Sequence, residues 1–300
     1  MLGFIGLGYM GSRLARRLLD AGYPLGVYNR TADKARPLAE LGARVYASPA
    51  DLAQAADVVF TMLADDAAVE QVMLGPDGVV AAMRPGTTIV DLSSVHPDTS
   101  RRIASAARLR DVAVLDAAVS GSTPQAEGGS LVMFVGGERA VYERCRAMLD
   151  VLAGHVFYLG PNGAGATMKL VVNALLGAGM QALAEALALG QRAGLDKATL
   201  LEVLEQTTVL APGHKRKLQN ARSETYPVQF PLRLMWKDFG NVLRLAQQRA
   251  VPMPLTAAAH QAFTIEQAKG VEEDFSAVIR SMEQLAGLAP GTTGVDTWTR

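Results

Sequence analysis

The sequence has one cysteine, Cys145, among 300 residues, so an intrachain disulfide is impossible. With only four histidines and no Cys/His cluster at ligand spacing, no metal site is expected. An excess of either charge is also missing: 29 Lys and Arg balance 29 Asp and Glu, which excludes a nucleic-acid binder working through bulk positive charge. No apolar run reaches membrane-spanning length without a polar break, since the stretch 170–190 carries Asn173, Gln181 and Glu185. No basic region precedes the N-terminal apolar run, so a signal peptide is not expected and the chain reads as cytoplasmic, acting on neither membrane nor nucleic acid. Internal repeats and low-complexity segments are absent. What is present is apolar: 49% hydrophobic against 19% charged residues, enough for a sizeable core and for two domains in this length.

The most informative stretch is Gly6-Leu7-Gly8-Tyr9-Met10-Gly11. It follows a short apolar run, Leu2 to Ile5, and precedes a helical pattern carried by Leu14, Ala15, Leu18 and Leu19. Strand, glycine turn and helix in that order are what a dinucleotide fingerprint requires. Gly6 permits the tight turn, Gly8 lets the backbone approach a pyrophosphate, and Gly11 lets the helix pack close to the strand. Further short strands are expected at 25–28, 58–62, 88–91, 112–116, 131–135 and 155–158, with helical patterns between most of them, such as 32–41, 49–55 and 140–152. That alternation predicts an α/β fold with a mainly parallel, doubly wound sheet over residues 1–162, a Rossmann domain.

After Gly160-Pro161-Asn162-Gly163 the strands stop. Residues 163–193 predict one long interdomain helix of about 45 Å. Further helices are expected at 197–205, 231–249, 256–269 and 275–285, making 163–288 an all-α domain for substrate binding and oligomerisation. The patternless 289–300 predict a loose tail.

Three local patterns bear on chemistry. The second strand ends in Asn29-Arg30-Thr31, where an NAD site would show a carboxylate. Neutral Asn29 does not repel a 2′-phosphate, Arg30 offers a planar fork of donors and Thr31 a hydroxyl, so NADP(H) is the expected cofactor. The plain alternative is a solvated Arg30 and a Thr31 that caps a helix. Second, Lys169 and Asn173 lie four apart on the long helix among Met168, Leu170, Val171, Val172, Leu175 and Leu176. Such a lysine either snorkels to water or acts as an acid/base, and desolvation lowers a lysine pKa toward that use. Third, Asp91-Leu92-Ser93-Ser94 and Asp116 to Pro124 follow strands and reach the sheet's carboxyl edge. Ser120-Gly121-Ser122 offer hydroxyls and N–H groups to a carboxylate, or form a plain turn. His96, followed by Pro97, reads as turn geometry rather than catalysis.

These residues, with Gly163-Ala164-Gly165 and Lys237-Asp238, occur in the order found in the β-hydroxyacid dehydrogenases, the group of 3-hydroxyisobutyrate dehydrogenase and tartronate semialdehyde reductase. The resemblance covers roughly residues 1–288. It implies that Lys169 is the catalytic acid/base, that Asn173 orients it or the substrate, that Ser120 and Gly121 bind the substrate carboxylate, and that Lys237 reaches the cofactor. Met62, Leu63 and Ser94 are counted with Gly6 to Gly11 and Asn29 to Thr31 as cofactor-binding, and Ser94 and Ser122 also as substrate-binding. Finer features, including Asn29-Arg30-Thr31, Ser120-Gly121-Ser122, Tyr226-Pro227 and Phe230-Pro231-Leu232, resemble the NADPH-dependent glyoxylate/succinic semialdehyde reductase branch. That likeness adds Phe230 and Asp238 to the substrate pocket. Read from the residues alone, Phe230 is a core anchor and Asp238 a partner of Lys237.

The expected function is reduction of a short aldehyde acid to its hydroxy acid by a homodimer or homotetramer. Oxidation of 3-hydroxyisobutyrate, serine or a related β-hydroxy acid is the enzymatic alternative, and a non-catalytic nucleotide-binding redox sensor the alternative from another class. Imine reduction is disfavoured by retention of Lys169.

Overall fold

The computed structural model describes residues 1–288, so the expected tail lies outside the described residues. Eight strands form one sheet: β1 Leu2–Ile5, β2 Leu25–Tyr28, β3 Arg44–Val45, β4 Val58–Thr61, β5 Thr88–Asp91, β6 Ala113–Ser120, β7 Leu131–Gly137 and β8 Ala153–Gly160. Their order is β3-β2-β1-β4-β5-β6-β7-β8. All neighbours are parallel except β6 and β7. β1 lies between β2 and β4, so the strand order reverses beside it, which is where ligands bind in doubly wound sheets.

The register matters for function. Tyr28, Ile5, Thr61, Asp91 and Asp116 stand in one row across five strands. The residues following β1, β2 and β4, namely Gly6, Asn29 and Met62, therefore emerge side by side at the carboxyl edge. Apolar layers cover both faces of the sheet. Leu14, Leu18 and Leu149 belong to one, Leu52, Ile89 and Ile103 to the other. Each such side chain, fully buried, contributes about 1.5–3 kcal/mol.

Two local expectations differ from the structure. The strand expected at 112–116 runs on to Ser120, because antiparallel pairing with β7 extends it (Ser120 opposite Val132). Asp116 is thus mid-strand, and the loop begins only at Gly121. The helix expected over 32–41 is a 3-10 turn, Ala32–Ala35, followed by one short helix, Arg36–Ala39, with Pro37 in its first turn. β3, two exposed residues, carries no apolar pattern in the sequence.

The chain divides into two compact units, the second beginning at Val172, so the boundary falls inside the long helix Ala164–Arg192. That helix is long and apolar enough to cross a membrane by length and composition, and 56% of its most apolar window is buried inside the protein. Among the described residues the second unit is helical, and its core includes Leu183, Leu187, Met235, Phe239, Phe263 and Val278. Phe239 and Phe263 meet edge to face at 5.3 Å.

Candidate active site

Helix Gly11–Asp20 starts without a side-chain cap and without an acidic residue in its first turn. Among the described residues, the N–H groups of Gly8, Tyr9, Met10 and Gly11 meet no acceptor. A helix start left open in this way suits an anion. The three glycines serve different ends. Gly6 has φ +96°, and a Cβ there would sit 2.3 Å from the Met62 carbonyl. A Cβ on Gly11 would sit 1.9 Å from the Gly6 carbonyl. A Cβ on Gly8 would meet nothing within 4 Å, so the protein's own packing does not require glycine there. The open space above Gly8 is the room a pyrophosphate needs, and the turn fits a dinucleotide. Gly8→Ala is therefore expected to keep the parent's melting temperature while weakening cofactor binding by about tenfold or more. Gly11→Ala is expected to lose about 1–3 kcal/mol of stability through backbone overlap. Thermal melts with and without cofactor check both, and undiminished binding by Gly8→Ala would refute the assignment.

Asn29 ties this turn to β2. Its side-chain oxygen accepts from Leu7 N–H at 2.8 Å and its amide donates to the Thr31 carbonyl at 2.8 Å. An aspartate lacks that donor, which is a structural reason for the missing carboxylate. Exposed Arg30 borders a cavity of about 370 Å³ that Tyr28, Asn29, Val45 and Tyr46 also line. Thr31 stands at the N-cap of the 3-10 turn, yet its hydroxyl accepts no capping bond.

After β4, Leu63 N–H donates to Ser93 Oγ at 2.9 Å, and Ser93 N–H donates to the buried Asp91 at 3.1 Å. Thr61 also donates to Asp91, at 2.8 Å. Burial pushes the Asp91 carboxyl above the usual carboxylate range, against these bonds. Asp91 thus fixes the loop bearing Met62 and Leu63, and half-buried Ser94 follows directly. His96 caps helix Pro97–Arg108 through its ring nitrogen, which accepts from Asp98 N–H at 3.2 Å.

The start of the long helix is bound to the sheet by Asp116. Its carboxylate accepts from Gly163 N–H at 2.8 Å and Ala166 N–H at 3.0 Å. Burial raises the Asp116 carboxyl, and these same bonds pull it down. Gly165 packs so closely that a Cβ would lie 2.3 Å from the Phe134 carbonyl and 2.5 Å from that of Asp116. One turn on, Lys169 is buried, with 9% of its surface exposed. In the sequence Asp116 stands at the junction of an expected strand and the loop after it; its partners are 47 and 50 residues away.

Ser120 ends β6, Gly121 has φ +132°, and Ser122 heads helix Thr123–Gly128, its N–H donating to Gln125 Oε1 at 2.9 Å. In the second unit, Asn173 donates to the buried Asp238 at 2.5 Å, and Lys237 pairs with the other Asp238 oxygen at 2.8 Å. The Asn173 side-chain oxygen is buried without a partner among the described residues. Phe230 is half-buried, beside Phe275.

Residues 1–160 match the family model described as the NAD binding domain of 6-phosphogluconate dehydrogenase. Residues 163–282 match that described as NAD-binding of NADP-dependent 3-hydroxyisobutyrate dehydrogenase. The chain is 37% identical over 283 residues to glyoxylate/succinic semialdehyde reductase 2 of Arabidopsis thaliana, covering 94% of this chain and 79% of that one. The crystal structure of a 3-hydroxyisobutyrate dehydrogenase from Salmonella typhimurium is similar with TM-score 0.86 and 30% identity, over 93% of this chain and 99% of that one. A Mycobacterium tuberculosis 3-hydroxyisobutyrate dehydrogenase solved with L-serine is similar with TM-score 0.83 and 28% identity, over 94% and 98%. The strand-turn-helix with its open anion site and the matches along both units lead to one conclusion: the chain belongs to the 3-hydroxyisobutyrate dehydrogenase-like family of NAD(P)-dependent oxidoreductases acting on CH–OH groups.

Proposed function

We propose that this enzyme reduces a short aldehyde acid, such as glyoxylate or succinic semialdehyde, with NADPH, and that Lys169 is the general acid. The observation that carries the reading is Lys169 itself, a buried cation on an apolar helix whose start is held by Asp116 and Gly165. A nicotinamide held by the glycine turn would supply the hydride. Lys169 gives its proton to the carbonyl oxygen. Asn173, fixed by Asp238, presents a buried oxygen that accepts from Lys169 or from the product hydroxyl; left unmet, such an acceptor costs about 1–3 kcal/mol. Ser120, Gly121, Ser122 and Ser94 hold the substrate carboxylate, while Phe230 and Asp238 shape its pocket. Gly6 to Gly11, Asn29, Met62, Leu63 and Lys237 hold the cofactor.

The choice of NADPH rests on Arg30, which lines the cavity at the end of β2, and on the neighbouring Thr31, whose hydroxyl makes no capping bond. Removing one charge-assisted contact costs about 1.5–3 kcal/mol. Arg30→Ala is therefore expected to raise KM for NADPH about 10- to 100-fold and leave NADH nearly unaffected. Equal losses with both cofactors would remove Arg30 from the phosphate site.

The test of the whole reading is a panel of aldehyde acids and hydroxy acids assayed with NADPH and NADH by cofactor absorbance. Turnover of 3-hydroxyisobutyrate or serine alone, without aldehyde-acid reduction, would sink it. Oxidation of a β-hydroxy acid is the second reading, favoured by the relative solved with L-serine. The same residues serve that direction, with Lys169 as base.

We also propose that the enzyme self-associates. Leu175 and Leu189 on the long helix are 74% and 72% exposed, and Ala182 lies midway between them, a seam at coiled-coil spacing. Cys145 is buried, and burial pushes its thiol up to about 11, which makes it inert and suits a reducing cytoplasm.

A further inference from the structure

We propose that Asp274 and Lys217 are positioning residues for substrate recognition, acting through Phe230. The inference rests on the reading that Phe230 contacts the substrate. Residues 224–231 form no regular element, so their backbone donors need partners from elsewhere. For Gln229 and Phe230 one carboxylate supplies them. Asp274 Oδ2 accepts from Gln229 N–H at 3.1 Å, Phe230 N–H at 3.0 Å and Lys217 Nζ at 2.9 Å. Its Oδ1 accepts from Ser276 N–H at 3.1 Å and Ser276 Oγ at 2.7 Å. Asp274 is fully buried, and Lys217 is 7% exposed.

Further bonds tie Lys217, Asp274 and Phe275 to the same segment. Lys217 also donates to Gln229 Oε1 at 3.1 Å. Asp274 N–H donates to the Tyr226 carbonyl at 3.1 Å, and Phe275 N–H donates to that of Phe230 at 2.9 Å. Pro231 and Asp274 form an antiparallel bridge. The Phe275 ring, 2% exposed, meets Phe230 edge-on at 5.6 Å, and Lys217 Nζ stands 5.4 Å from the Phe275 ring centre. Backbone and ring of Phe230 are thus fixed from one side, while the ring stays half-buried and able to touch a ligand.

A buried ion pair is a poor source of stability compared with apolar packing of the same volume. Gln229 N–H, Phe230 N–H and the Lys217 ammonium converging on one carboxylate oxygen instead select a single conformation of the segment. The selected feature here is the position of one aromatic ring, which sets the fit of the aldehyde-acid chain. Lys217 and Asp274 should therefore govern KM for that substrate and leave proton transfer alone.

The experiment measures kcat and KM for succinic semialdehyde and KM for NADPH in the full-length enzyme. The variants are Phe230→Ala, Lys217→Met, Lys217→Arg, Asp274→Asn and the double variant Phe230→Ala/Lys217→Met. Lys217→Met is expected to raise substrate KM about tenfold, with kcat and cofactor KM within about twofold of the parent. Lys217→Arg should restore most of the loss. The double variant should be no worse than Phe230→Ala alone, because both act on one ring. Asp274→Asn turns an amide toward donors and is expected to repeat the effect; should it not fold, the Lys217 series stands without it. If Phe230→Ala raises KM but Lys217→Met does not, or if the two effects multiply, the positioning role is overturned and the pocket reading survives. If Phe230→Ala leaves KM unchanged, both are overturned.

Discussion

Replacing Lys169 by alanine is expected to lower turnover by about 10²–10⁴-fold, the range a general acid contributes. Cofactor binding should survive, since the glycine turn, Asn29 and Arg30 lie on other elements. The fold should survive too. The change puts the best helix former into the interior of a long helix. Lys169→Arg separates charge from proton donation. It keeps a cation at the same position, but a guanidinium does not release its proton in the working range, and its planar fork is larger. It should be nearly as inactive as the alanine variant. Cofactor titration by fluorescence, with turnover measured in parallel, reads both properties. Turnover of Lys169→Ala within about tenfold of the parent would remove the lysine from the chemistry.

Much of the fold is legible in the sequence because it is written in local periods. The apolar runs of β1 and β2 are short, uninterrupted and followed by turn residues, as buried parallel strands should be. The long helix announces itself by length and by the want of Pro. The rest of the fold depends on partners distant in the chain. β6 is longer than its apolar core because β7 pairs with its far half, and nothing within 112–120 encodes β7. β3 exists only because β2 offers it an edge. The short helices Pro212–Lys215 and Leu218–Ser223 fall below the length at which a period shows.

The candidate site divides along the same line. Gly6, Gly8 and Gly11 are found by spacing, since one turn performs all three tasks. The groups that hold Lys169, Asn173 and Phe230 in place are not, because Asp116, Asp238 and Asp274 reach them across 44 to 65 residues. A carboxylate following an apolar strand residue has many explanations in a sequence. Only the fold shows that Asp116 caps a helix and that Asn29, rather than an aspartate, is needed to bridge Leu7 and Thr31.

Gly165→Ala tests the other half of the catalytic proposal, that the place of Lys169 is set by packing. The added Cβ would lie 2.3 Å from the Phe134 carbonyl and 2.5 Å from the Asp116 carbonyl. Both obstacles are backbone of paired strands, so neither swings aside. The helix start must then withdraw by roughly an ångström, and displacement on that scale can cost about 10²-fold in rate. The stability change should be smaller than the activity change. Overpacking costs about 1–3 kcal/mol, while alanine in place of glycine within a helix returns about 0.5–1 kcal/mol. Withdrawal also lengthens the bonds from Gly163 and Ala166 to Asp116, so Asp116→Asn should move activity in the same direction. The measurements are kcat, the thermal midpoint and cofactor affinity for each variant. A Gly165→Ala enzyme with the parent's kcat would show that close contact between helix and sheet does not set the position of Lys169. A fall in kcat on the order of a hundredfold, with cofactor affinity intact, would show that this contact holds the ammonium group in place for the reaction.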